Sequence, residues 1–341
     1  MSIKIEEYGK LVSGKIIYSI CLINKTGVSV EILNFGGIIR SILMPDYQGI
    51  YQDIVLGFDS LEDYMVNQPN FGAVIGRLAG PVPGCKLEYA NRTVMLPPSN
   101  DLGRHVHGGR KGFARSVWDF TTSETEQESQ VTLVYDSPDG DDGYPGNIRA
   151  IVNYTLTGKG ELMVHYSAES NEPTPFNPTN HTYFNLAGHQ SGPVDNQILS
   201  IQNKKVIVDG CSLPVEGTGL DFRQPKKIGE ILLSEDEGLH AGINHFHVLD
   251  GSGLRNVMRM EDVESGRVLE IDTDCTGAIV YDGGNLCAVK GKHGAVYEKR
   301  SGFVFEPIYV KDTTPFNPSQ VRLISPASPF SATTVYRFLH C

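Results

Sequence analysis

Residues 150–157, AIVNYTLT, and 162–169, LMVHYSAE, decide the fold. In the first stretch Ala150, Val152, Tyr154 and Leu156 alternate with Ile151, Asn153, Thr155 and Thr157. In the second, Leu162, Val164, Tyr166 and Ala168 alternate with Met163, His165, Ser167 and Glu169. A period of two places successive side chains on opposite faces of a strand, whereas a helix would repeat every 3.6 residues. Strands with one apolar face point to antiparallel sheets packed face to face. Turn signals separate them: Pro138-Asp139-Gly140, Gly143-Tyr144-Pro145-Gly146, Asp250-Gly251 and Asp282-Gly283-Gly284. The 37 glycines and 19 prolines are spread throughout, so they punctuate many short strands and mark no linker. Only Ser60 to Val66 has helical character. The expectation is an all-β protein, a large antiparallel β-sandwich, with residues 1–341 as a single domain.

A chain of 341 residues can bury a large core. Its formal net charge of −11 opposes nucleic acid, whose binders carry a basic stripe. The N-terminal MSIKIEEYGK has no apolar signal region, and no stretch reaches the eighteen apolar residues of a membrane span. Cysteines 21, 85, 211, 275, 287 and 341 lack C-x-x-C spacing, which fits reduced thiols better than a disulfide framework or a zinc site. These features predict a cytoplasmic protein with no nucleic-acid or membrane partner, as a monomer or homodimer.

Chemistry concentrates in Thr174–Leu186, TPFNPTNHTYFNL. Pro175 and Pro178 fix φ and push the residue before each towards extended backbone, which makes a stiff support for His181. A positioned imidazole can serve as a general acid or base near neutral pH. Taken alone, a histidine is more often a core residue satisfied by a carbonyl.

Further motifs change that balance. TNHTYFNL, Asp53–Tyr64 (DIVLGFDSLEDY), His107-Gly108-Gly109 with Gly112-Phe113 and Trp118, Ser137–Gly146 (SPDGDDGYPG), Gly242–Leu249 (GINHFHVL) and Glu306 after the apolar GFVF occur in one order. Together they resemble the aldose 1-epimerase (galactose mutarotase) family, from about residue 35 to the C-terminus. The resemblance implies a galactose mutarotase-like supersandwich with a sugar site in a cleft across one curved sheet. It implies interconversion of the α and β anomers of an aldose by acid–base ring opening, with no cofactor and no metal. It assigns Glu306 as base, His181 as acid, and His107 as a hydrogen-bond partner near the ring oxygen. Substrate contacts fall on His107, Asn244, Ile279 and, in the GR-x-A stretch, Arg77. From the residues alone, a carboxylate at the end of the apolar strand before Pro307 would be partly desolvated, which strengthens it as a base.

Three positions depart from the family pattern. An arginine expected after the GR-x-A stretch is Pro81, an aspartate before His245 is Asn244, and a glutamine two residues before Tyr281 is Ile279. Losing a cation and an anion together leaves no uncompensated charge. The acid–base pair is kept and the hydroxyl recognition is changed, which points to an unusual aldose, a deoxy sugar or a uronic acid. For a uronate, Arg104, Arg110, Lys111 or Arg115 could supply a carboxylate partner, although any one of them alone is more often solvated loop charge.

Three rival readings remain. A non-catalytic carbohydrate-binding or sensor protein on the same fold would need no base, and Glu306 and His181 are both present. A hexose-phosphate epimerase would need clustered basic residues. A metal enzyme could use the H-x-H pairs His105/His107 and His245/His247, each placed on one strand face, but nothing ties the two pairs together. Tyr183, Phe184 and Tyr144 are as well explained by packing as by sugar contact. TPFNP occurs at 174–178 and 314–318 and reads as two rigid turns entering adjacent sheet edges.

Overall fold

The computed structural model describes residues 1–208, 210–233, 242–312 and 322–340. The alternating segments pair as read. Ile148–Thr157 lies antiparallel between Glu128–Ser137 and Glu161–Ser170, and Phe330–His340 adds beyond the latter. With Asp119–Glu124 at one edge and Arg267–Thr273, Arg255–Asp262, Ile198–Ile201 and Lys226–Lys227 towards the other, they form a nine-stranded sheet. Ala150, Val152, Tyr154, Leu156, Leu162, Val164, Tyr166 and Ala168 are all buried, while Met163 and Glu169 are exposed. Alternation therefore assigned the inner face of this sheet residue by residue.

Two further antiparallel sheets share the same core. A five-stranded sheet runs from Ser2–Lys10 to Tyr51–Asp53, and a six-stranded sheet orders Tyr183–Phe184, Phe303–Ile308, Gly277–Tyr281, Asn244–Leu249, Asn203–Val208 and Cys211–Pro214. Ile20, Leu22 and Val30 from the first and Ala278, Val280, Phe303 and Phe305 from the second join Leu133, Val152 and Val164 in one apolar cluster. The one α-helix among the described residues, Leu61–Val66, begins where expected. Ser60 caps it by accepting a hydrogen bond from the Asp63 N–H at 3.1 Å. No helix among the described residues is long and apolar enough to cross a membrane. Thr174–Pro175 pairs with Leu323–Ile324, whereas the second TPFNP lies outside the described residues.

Period two in the six-stranded sheet positions the site. Phe303 and Phe305 turn into the sandwich core, while Val304 and Ile308 belong to a second cluster on the opposite face. Glu306 shares that outer parity. Strand register places Phe246 beside Ile279, and Ile279 beside Glu306, as a single rung across three strands. Buried on both faces, this sheet reads as a nearly continuous apolar run from 303 to 308, interrupted by one carboxylate.

The parity of the nine-stranded sheet has a direct energetic consequence. Leu162→Ala should cost about 2–5 kcal/mol in denaturant unfolding, because it leaves a cavity in a packed core. Met163→Ala, on the other face, should cost about 0.5 kcal/mol or less. Equal losses for the two would contradict this sheet orientation.

Candidate active site

The outer face of the six-stranded sheet forms the floor of a cleft of about 630 Å³. Glu306, His181, His107, Tyr183, Ile279 and Asn244 line it. Glu306 Oε1 lies 3.6 Å from His181 Nε2, with the carboxylate 1 % and the imidazole 5 % exposed. The His107 ring meets the His181 ring edge to face, with centroids 5.1 Å apart. Glu306 Oε2 and His181 Nδ1 have no hydrogen-bond partner among the described residues. Buried polar atoms are nearly always paired, so unpaired ones on two cleft-lining residues mark this spot as functional rather than structural.

Backbone contacts hold each group. The His181 N–H donates to the Ala73 carbonyl at 2.9 Å, and its own carbonyl accepts from the Gly72 N–H at 3.0 Å. Asn180 Nδ2 donates to the Gly72 carbonyl at 2.8 Å, tightening the same crossing. Asn177, between the two prolines, donates to the Tyr309 carbonyl at 2.9 Å and accepts from the Tyr309 N–H at 3.0 Å. It therefore clamps the histidine turn to the strand that carries Glu306, three residues from the carboxylate. Asn177 between the two prolines and Asn180 after them supply side-chain fastening to this turn.

His107 sits just past the short strand His105–Val106 with φ +51°. The two glycines that follow allow the turn, and a Cβ at Gly108 would lie 1.7 Å from the Gly76 carbonyl oxygen. The Gly80 N–H donates to His107 Nδ1 at 3.2 Å, so the ring proton resides on Nε2. The acidic loop fastens this turn from behind. Asp142 accepts from the N–H groups of Arg110 at 2.9 Å and Gly112 at 2.8 Å. Tyr144 is fully buried, its hydroxyl 2.8 Å from His105 Nε2, and acts as a structural corner.

Electrostatics follows from burial. Loss of water pushes the Glu306 carboxyl well above its ordinary value, because the charged form is the one disfavoured. The same loss, with His107 beside it, pushes His181 well below 6.5. Burial lowers His107 to about 4. All three groups therefore favour their neutral forms.

Several expectations need correction. Glu306 lies inside its strand, Phe303–Ile308, and is fully buried; the apolar run continues through Ile308, so Pro307 does not end it. Arg77 does not line the cleft. Its guanidinium is buried and donates to Ser137 Oγ and to the carbonyls of Ser137, Pro138 and Pro145, which anchors the acidic loop. His105 and His107 do not share a face: His105 Nδ1 is 2.8 Å from the Pro97 carbonyl oxygen and its other nitrogen meets Tyr144. His247 is buried against Asn203 while His245 lines the cleft. One metal-type cluster occurs among the described residues, and it is His107, His181 and Glu306 themselves, with ligand atoms within 4.8 Å. Pro81, Asn244 and Ile279, the three departures, all line the cleft. Asn177, Gly80 and Asn180 escaped sequence reasoning as positioning residues; the Asn-rich spacing of TPFNPTN was the available signal.

The raised Glu306 carboxyl makes stability depend on pH. The unfolded chain releases this proton near pH 4.5 while the fold retains it, so stability is lost as pH rises through the folded value. Glu306→Gln removes the ionisation. Its stability relative to wild type should increase above about pH 4.5, by up to about 1.4 kcal/mol per pH unit. Chemical denaturation at pH 5 and pH 8 measures this, and a pH-independent difference would show that the carboxyl is not shifted.

Comparison with known proteins agrees with the geometry. The family model described as aldose 1-epimerase matches residues 18–337. A galactose mutarotase of Mus musculus is 34 % identical over 339 residues, covering 97 % of each chain. The aldose 1-epimerase of Escherichia coli K12 is 29 % identical, covering 93 % of each. The crystal structure of galactose 1-epimerase from Lactobacillus acidophilus superposes with a TM-score of 0.86 at 28 % identity, covering 99 % of both chains. With the buried carboxylate–imidazole pair on its cleft floor and its fold matched from end to end, the chain belongs to the aldose 1-epimerase family.

Proposed function

We propose that the protein is a mutarotase, an isomerase that interconverts the α and β anomers of a monosaccharide. The observation that carries this reading is the Glu306–His181 contact of 3.6 Å, buried at the floor of a sugar-sized cleft. Opposite charges at that distance attract by about 4–5 kcal/mol at an effective dielectric near 20, enough to bring the ionised pair within reach of the neutral one. In the ionised form Glu306 accepts the proton of the anomeric hydroxyl while His181 donates one to the ring oxygen. The C1–O5 bond breaks as the C1 carbonyl forms. Rotation about C1–C2 and attack of O5 on the other carbonyl face reverse the two transfers and give the other anomer. One proton enters the pair for each that leaves, so the site regenerates itself. His107 Nε2–H donates to the ring oxygen or its neighbouring substituent, and the Gly80 N–H on Nδ1 keeps that tautomer.

Each positioned acid or base contributes about 10²–10⁴-fold. Anomer interconversion followed by NMR exchange should therefore fall by at least about 10²-fold in His181→Asn and in Glu306→Gln, with sugar binding retained. Sugar binding without acceleration in the wild type would favour the carbohydrate-binding alternative.

A further inference from the structure

We infer that the substrate carries a negative charge on the substituent at C5, a uronate carboxylate, and that Arg104 is its anchor. This rests on the mutarotase reading of the same cleft. Four basic residues lie on the segment around His107, and the structure separates them. Arg110 Nε donates to the Pro98 carbonyl at 3.2 Å. Lys111 Nζ donates to Tyr135 Oη at 2.6 Å and to Asp141 Oδ1 at 3.3 Å. Arg115 donates to the carbonyls of Val66 at 2.9 Å and Asn67 at 3.2 Å. Arg104 alone of the four lines the cleft, and its guanidinium has no hydrogen bond, ion pair or ring partner among the described residues.

Its backbone, by contrast, is fastened. The Arg104 N–H donates to Asn100 Oδ1 at 3.0 Å, and its carbonyl accepts from the Ser99 N–H at 2.8 Å. Arg104 and Val106 both line the cleft, while His105 between them turns to Tyr144. A hydrogen-bonded backbone therefore carries an exposed guanidinium without a partner among the described residues at the cleft. Among the described residues, Glu306 is the one acidic residue that lines that cleft, and Asn244 is uncharged. Among the same residues an anion would meet one arginine there.

Stereochemistry selects where the anion sits on the sugar. C5 is bonded to the ring oxygen, so its substituent emerges beside the atom that His181 protonates. His107 borders His181, and Arg104 precedes His107 by three residues along the same segment. Ile279 and Phe246, whose side chains close on Gly80 beside His107, and Leu286 line the cleft and can make no ionic contact. A single arginine matches one carboxylate with two parallel N–H donors. A phosphate dianion would call for more cations than this wall provides.

The test measures anomer exchange of galacturonate and glucuronate against galactose, glucose and glucose 6-phosphate, in wild type, Arg104→Met, Arg104→Lys and His181→Asn. The uronates should exceed their parent aldoses in kcat/KM at least tenfold. Arg104→Met should lower that ratio about 10- to 100-fold, chiefly through KM, and Arg104→Lys should restore part of it. The uronate KM should rise with ionic strength while the aldose KM does not. A wild-type ratio at or below one, a ratio indifferent to Arg104→Met, or glucose 6-phosphate as the best substrate would overturn the assignment. Acceleration of neutral aldoses alone, abolished by His181→Asn, would sink the uronate inference and leave the mutarotase reading standing. No acceleration of any sugar would remove both.

Discussion

One buried pair, the Glu306 carboxyl and the His181 imidazole 3.6 Å apart, is the constraint on which the rest of the site depends. A carboxylate 1 % exposed in a sheet of aromatic and aliphatic side chains is costly unless something offsets its charge. Retaining its proton offsets that cost, and the imidazole can take part in moving the proton only if it is held close by. The surrounding structure can be understood as the means of holding it. One strand of the six-stranded sheet, Phe303–Ile308, presents Glu306, a crossing of Asn180 and His181 over Gly72 and Ala73 presents the imidazole, and Asn177 ties the two together. Catalysis by proton transfer benefits from such fixed groups because no reorganisation is needed when the sugar reacts.

His107 occupies an outer layer of the same design. Its left-handed backbone, the close approach of Gly108 to Gly76 and the two N–H groups accepted by Asp142 shape a loop that the β-sheet alone could not supply. The acidic loop 137–146 resembles a ligand-binding feature in sequence, with three aspartates in ten residues. In the structure its charges face the protein: Asp141 accepts from Tyr135 at 2.8 Å, and Arg77 is spent on the loop carbonyls. Under the proposed function, sugar recognition falls to the cleft lining, where Pro81, Asn244 and Ile279 stand and where Glu306 and His181 are both present.

Much of this was legible in the residues. Strict alternation at 150–157 and 162–169 revealed both the sheet type and the buried face, because a half-buried strand has no other way to segregate its side chains. The pairing of His181 with Glu306 was implied only by resemblance, since 125 positions separate them and no periodicity links them. Arg77 was misplaced for a related reason. An arginine beside a candidate site looks the same in sequence whether its guanidinium faces the cleft or the loop behind it. Gly80 and Asn177 went unnoticed because they act through backbone groups or on them, and such contacts leave little trace in residue type. Glu306 was set at a strand end because Pro307 suggested a break; at that position proline is accommodated within the paired strand opposite Ala278.

The acid–base role of the buried pair is tested most directly by the pH dependence of kcat/KM for anomer exchange. If Glu306 and His181 act as one buried pair, the profile is a bell. Its acid limb falls where a second proton charges the pair, below the ordinary histidine value of 6.5. Its alkaline limb falls where the last proton leaves, above the ordinary glutamate value of 4.5. Glu306→Gln should abolish the bell along with most of the rate. A rate that rises through a single ionisation near 4.5 and then stays level would mean that the carboxylate titrates as if solvated, and would contradict the buried pair.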